Sequence, residues 1–134
     1  MIFELTCYNP NMKSKSLLGI DLGTRRAGLA VSHGFMAEAI ESLDYQNKDQ
    51  FFHDLKKIVD EQKIETIVIG LPLKDGQETD QSRWIKKESE VIGEKLGLEI
   101  EFVDEAFSST EADWYKGDRD SQSARIILEQ YLAR

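Results

Sequence analysis

The sequence predicts an α/β fold, a five-stranded mixed sheet of order 3-2-1-4-5 flanked by helices. Three observations carry this reading. Apolar periodicity gives the order β-β-β-α-β-α-β, followed by helix. Residues 16–22 and 65–70 are nearly continuous apolar runs, as strands buried on both faces require. Strands separated by a helix join through right-handed crossovers, so the first, fourth and fifth strands run parallel.

Each element has its own signal. Residues 16–22 form the first strand. Gly23-Thr24-Arg25-Arg26 then makes a tight turn into a hairpin partner over 27–32. Residues 35–43 read as a third strand, although Ala and Glu are weak strand formers. Phe51, Phe52, Leu55, Ile58 and Val59 recur at helical spacing and predict a helix from about Lys48 to Gln62. A strand over 65–70 precedes a loop holding Pro72, Asp75 and Gly76. A second helix spans 79–96, with Trp84, Val91, Ile92 and Leu96 as its apolar side and Gly97 as its C-cap. Residues 98–103 alternate as the fifth strand. Ser108 or Ser109 is placed to N-cap a short helix, and 121–132 is the final one, with Ile126, Ile127, Leu128 and Tyr131 inward. Residues 1–15 read as an N-terminal tail or a start-site artefact, and 16–134 as the folded domain.

Composition limits the function classes. A chain of 134 residues holds one core rather than two lobes. No apolar run approaches the roughly 20 residues that span a bilayer, so no membrane role is expected. The first residues lack the basic start of a signal peptide. A single cysteine, Cys7, fits a reducing cytoplasm. The net charge of -8 argues against a strong nucleic-acid binder unless basic groups cluster locally or a divalent metal is bound.

The crossover rule also brings three segments to one edge. Asp21 ends the first strand, Gly70-Leu71-Pro72-Leu73 follows the fourth, and Asp104-Glu105 follows the fifth. Open α/β sheets bind ligands at this carboxyl edge. Asp21 is costly inside an apolar strand unless its charge is compensated, either by the neighbouring turn or by a metal or phosphate site. Adjacent strand residues face opposite ways, so at most one of Asp104 and Glu105 naturally aims at that site, and convergence with Asp21 favours Glu105. Asp118 and Asp120 precede the last helix. Asp120 reads as an N-cap, and a carboxylate there also has the reach to touch a metal. Carboxylates without histidine or cysteine partners imply Mg²⁺ or Mn²⁺ rather than zinc. His33 reads as a loop residue and His53 as a helix-surface one. Thr24, Arg25 and Arg26, beside Asp21, are candidates for a phosphate grip, with a solvated turn as the alternative.

Four ordered blocks resemble one family. They are Gly19-Ile20-Asp21-Leu22-Gly23-Thr24-Arg25-Arg26-Ala27-Gly28-Leu29-Ala30-Val31-Ser32, then Val68-Ile69-Gly70-Leu71-Pro72-Leu73 with Asp75-Gly76, then Val103-Asp104-Glu105, and last the stretch from Asp120-Ser121-Gln122-Ser123 to Leu132. The set is similar to the YqgF family of Holliday-junction-resolvase-like proteins, also called pre-16S rRNA nucleases. The resemblance implies a ribonuclease-H-like fold and a catalytic, metal-holding set of Asp21, Glu105 and Asp120. It further implies two divalent ions about 3.5–4 Å apart, one generating hydroxide and one stabilising the leaving oxygen. The implied activity is metal-dependent phosphodiester hydrolysis, with trimming of the pre-16S rRNA 5′ end as its role. Partners are then structured RNA or branched DNA, for a chain acting alone or as a homodimer.

Two departures weaken the implied substrate grip. Ala106 stands where the family usually carries arginine, and Trp114-Tyr115-Lys116-Gly117-Asp118-Arg119 is shorter and less basic than the corresponding stretch. The alternative is therefore a non-catalytic ribonuclease-H-like RNA-binding or interaction module. The motif from Gly19 to Thr24 also resembles the phosphate loop of the actin and sugar-kinase type, but those proteins enclose ATP between two lobes.

Overall fold

The computed structural model describes residues 15–34, 36–44, 46–104 and 119–133. Its elements are β1 (Leu17–Leu22), β2 (Arg26–Ser32), β3 (Ala37–Asp44), α1 (Lys48–Gln62), β4 (Thr66–Leu71), α2 (Asp80–Leu96), β5 (Glu99–Asp104) and α3 (Arg119–Leu132). Residues 1–14, Phe35, Ser108 and Ser109 lie outside the described residues, and with them nearly all of the expected tail and the expected short helix.

The sheet order is β3-β2-β1-β4-β5, as the crossover rule requires. β1 runs antiparallel to β2 and parallel to β4, and β4 runs parallel to β5. β2 and β3 pair antiparallel, with a register irregularity between Leu29 and Ala30. β1 and β4 are therefore interior strands, which explains their unbroken apolar character. β3 is an edge strand and is only half-buried, consistent with its weak strand formers.

The two faces of the sheet carry different layers. Leu18 and Ile20 of β1, Leu29 of β2 and Ile67 and Ile69 of β4 pack with Phe51 and Leu55 of α1 and Ile85 and Ile92 of α2. Leu17, Ala30, Val68 and Val103 face the other way and pack with Ala124, Ile127 and Leu128 of α3. Each fully buried Leu or Ile contributes roughly 1.5–3 kcal/mol relative to exposure.

Local chemistry sets the helix ends. The Asn47 side chain accepts a hydrogen bond from Gln50 N at 2.7 Å and caps α1. Thr79 and Ser82 form a reciprocal capping box on α2, which ends at Gly97 with φ 67°. One expectation for α2 fails. Val91 is 37% exposed, and the inward stripe is Ser82, Ile85, Ser89 and Ile92. Ser89 tolerates burial because its hydroxyl donates to the Ile85 carbonyl at 2.6 Å. Ile126, Ile127 and Leu128 of α3 are buried, as expected.

Two glycines let α3 lie close to the sheet. A Cβ on Gly19 would stand 2.5 Å from Leu128 Cγ, and one on Gly28 would stand 1.9 Å from the Asp120 carbonyl oxygen. Both are closer than real Cβ atoms approach, so only glycine fits beneath this helix. Among the described residues, no helix is long and apolar enough to cross a membrane.

Candidate active site

Asp21 is the fifth residue of β1, near its carboxyl end in the middle of the sheet. Strand alternation puts it on the face shared by Leu17 and Gly19, which is the face α3 covers. Its partner across the β1–β2 ladder is Gly28. The backbone of Asp120 rests directly over Gly28, so the bare Cα of one strand seats the first turn of α3 beside the carboxylate of the next.

Asp120 lies within that first turn. Capping logic makes it the N-cap of a helix from residue 121. The helix is already formed at Arg119, so Asp120 sits among the first helical residues instead. A carboxylate in a first turn still complements the helix dipole.

Asp21 and Asp120 act on one another. Burial, and secondarily the charge of Asp120, raise the Asp21 pKa from 3.8 to about 6. Two carboxylates so disposed repel each other, and the arrangement favours a proton or a cation between them.

Arg26 answers part of this negative charge. Its Nε is 2.9 Å from Asp44 Oδ1 and 3.4 Å from Asp120 Oδ2, linking the end of β3 to the start of α3. The turn is closed by Gly23 N donating to the Arg26 carbonyl at 2.9 Å. Thr24 and Arg25 at its tip are exposed. Nearby, the Ser42 and Ser121 hydroxyls lie 3.4 Å apart, a further tie between β3 and α3. Sequence reasoning missed Asp44, because nothing local to it signals that Arg26 folds back against it.

The structure thus brings together Asp21, Asp120 and Arg26. Glu105, Ala106 and Asp118 lie outside the described residues. Val103, two residues before Glu105, belongs to the α3-facing cluster. Among the described residues, no three His, Cys, Asp or Glu side chains gather as a metal-binding group. His33 bridges Ser16 Oγ and Gln62 Oε1 at 3.0 Å each, a structural role at the opposite end of β1. His53 is exposed on α1, as expected.

Residues 15–134 match the family described as RuvX, Holliday junction resolvase. The chain belongs to this family. A relative from Maridesulfovibrio salexigens, named "Putative pre-16S rRNA nuclease", is 36% identical over 132 residues, covering 88% of this chain and 98% of its own. A relative of the same name from Synechocystis is 32% identical, covering 90% of this chain and 88% of its own. Among solved structures, Thermus thermophilus RuvC in complex with a Holliday junction substrate superposes with a TM-score of 0.60. That match has 12% identity and covers 88% of this chain and 93% of that one. A fowlpox virus resolvase bound to Holliday junction DNA gives 0.51 at 8% identity, covering 88% of this chain and 97% of the other. The fold is accordingly ribonuclease-H-like, and the expected family and architecture both hold. This member of a nuclease family carries paired aspartates on its central strand and covering helix.

Proposed function

We propose that this chain is a divalent-metal-dependent nuclease that hydrolyses phosphodiester bonds in structured RNA, with the 5′ end of pre-16S rRNA as its substrate. The observation that carries this reading is the Asp21–Asp120 pair, in which burial and like charge push the Asp21 carboxyl up to about 6. A hard divalent cation relieves such a pair, and carboxylate oxygens are the donors it prefers. The donor set fits the cation on that ground. Asp21 and Asp120 would hold it, joined by Glu105 through the family resemblance. Bound there, Mg²⁺ or Mn²⁺ supplies an activated water and neutralises charge developing on the phosphate.

The chain's own residues do the rest. Asp21 is fixed by the central strand and Asp120 by a helix that Gly28 admits close to it, so the two carboxylates are preorganised. Arg26 steers Asp120 by its ion pair and, with Thr24 and Arg25, offers positive and hydrogen-bonding groups to phosphate. The RNA assignment follows the names of the relatives, and branched DNA is the competing substrate. A cytoplasmic location fits the single cysteine.

A second reading, a non-catalytic RNA-binding module of the same fold, is favoured by Ala106 at the position where the family carries arginine. One experiment separates them. Cleavage of a pre-16S 5′-leader RNA and of a DNA four-way junction is followed with Mg²⁺, with Mn²⁺ and with EDTA, beside Asp21→Asn. Metal-dependent cleavage that disappears in the variant supports the nuclease. RNA binding without cleavage under any metal supports the module.

A further inference from the structure

Beside the aspartate pair lies an open hollow of about 730 Å³, lined by Thr24, Arg25, Asp44, Gln46, Asn47 and Lys48. We propose that this hollow is a subsite for the sugar-phosphate backbone of one nucleic-acid strand next to the bond being cut. The proposal rests on the nuclease reading and extends the Thr24–Arg25 turn to Gln46, Asn47 and Lys48, which no motif singles out.

Three observations carry it. The first is position. Asp44 forms part of the hollow's wall and Asp120 belongs to the carboxylate pair, yet one atom, Arg26 Nε, reaches both. A strand lying in the hollow is therefore separated from the carboxylates by a single guanidinium.

The second is chemistry. Apart from Asp44, each of these lining residues offers a hydrogen-bond donor: a hydroxyl from Thr24, a guanidinium from Arg25, amides from Gln46 and Asn47, and an ammonium from Lys48. Asn47 already commits its side-chain oxygen to Gln50 N, which leaves the amide nitrogen as its remaining polar end. Asp44 is answered by Arg26 and Lys48 by Glu88 at 3.1 Å, whereas Arg25 makes no ion pair among the described residues. The uncompensated charge of the hollow is thus positive in a chain of net charge -8. Anions are the ligands such a lining selects.

The third is shape. The hollow is open to solvent, and its volume suits a few nucleotides of one strand. With donors along its wall, the hollow meets such a strand through its backbone.

The test measures binding in EDTA, so it does not depend on cleavage. A short fluorescein-labelled single-stranded RNA is titrated by anisotropy at several salt concentrations with wild type, with Arg25→Ala/Lys48→Ala, and with Lys56→Ala/Lys57→Ala. The last pair removes equal charge from the separate groove between α1 and α2. The hollow variant is expected to bind roughly tenfold more weakly, its salt slope falling by about 0.7 for each phosphate it no longer neutralises. The groove variant should match wild type, and all three should share one thermal midpoint. Equal affinity for wild type and the hollow variant, or an equal weakening in both variants, overturns the subsite. If the protein cleaves nothing while the hollow variant alone binds more weakly, the nuclease reading fails and the hollow is a backbone-binding site of a non-catalytic module.

Discussion

Gly28 lies beneath Asp120, so close that a methyl group on Gly28 would stand 1.9 Å from the Asp120 carbonyl oxygen. Because Gly28 also faces Asp21 across the ladder, this close approach sets the separation of the two carboxylates. Gly28→Ala should push the first turn of α3 off the sheet. We expect a drop of about 1–3 kcal/mol in urea unfolding, as overpacking typically costs. Cleavage should fall further than the unfolded fraction explains. A variant with native stability and native activity would show that α3 yields there freely.

The Asp21 pKa makes stability depend on pH. The folded value of about 6 lies above the ordinary 3.8, so the folded chain holds a proton that the unfolded chain releases. The stability from this proton is fully present below about pH 3.8 and is lost as pH rises through about 6. At neutral pH and without metal, the ionised carboxylate is a burden. Asp21→Asn should remove it, raising stability near pH 7 by roughly 2–3 kcal/mol and flattening the profile between those two values. Parallel wild-type and variant profiles from denaturant titrations would refute this.

The same pair should respond to metal. A cation that binds the folded carboxylates and not the unfolded chain raises apparent stability by mass action. Mg²⁺ or Mn²⁺ should therefore raise the thermal midpoint of wild type by several degrees near neutral pH. The effect should shrink toward pH 5, where protons compete for Asp21. Asp21→Asn should show little of it. An equal rise in both proteins would locate the cation elsewhere.

The sheet was legible in the sequence because its physics is local and topological. The apolar run at β1 and the Ile-Val-Ile of β4 announce interior strands, and helices between strands force the parallel pairing, so the order 3-2-1-4-5 followed without coordinates. Asp21 was legible as a charge in an apolar strand. Its partner was not. Asp120 is ninety-nine positions away, and its place came from the family resemblance, while capping logic made it a helix terminus. Gly19 and Gly28 carry no signal of a close helix, since a glycine in a strand has several uses. Ser82 and Ser89 were invisible as core positions because hydropathy does not register a hydroxyl satisfied within its own helix. Arg26 reads in the sequence as a phosphate ligand or part of a solvated turn, and only tertiary structure folds it between Asp44 and Asp120.

Holding a divalent cation takes negative oxygens, and an amide preserves the shape of a carboxylate while removing its charge. Asp21→Asn and Asp120→Asn should each abolish metal-dependent cleavage of structured RNA. Asp118→Asn, two residues off the matching position, should retain most of it. The deficit expected of this chain lies in grip rather than chemistry, since Ala106 stands where the family resemblance implies an arginine and Arg26 is partly occupied by carboxylates. Ala106→Arg should accordingly lower KM several-fold, through added charge-assisted hydrogen bonds to phosphate, and leave kcat nearly unchanged. Steady-state kinetics on the pre-16S leader, with substrate spanning KM, separates the two parameters. A rise in kcat alone would make that position part of the chemistry, and no cleavage by any variant under Mg²⁺ or Mn²⁺ would leave the non-catalytic module as the account of this chain.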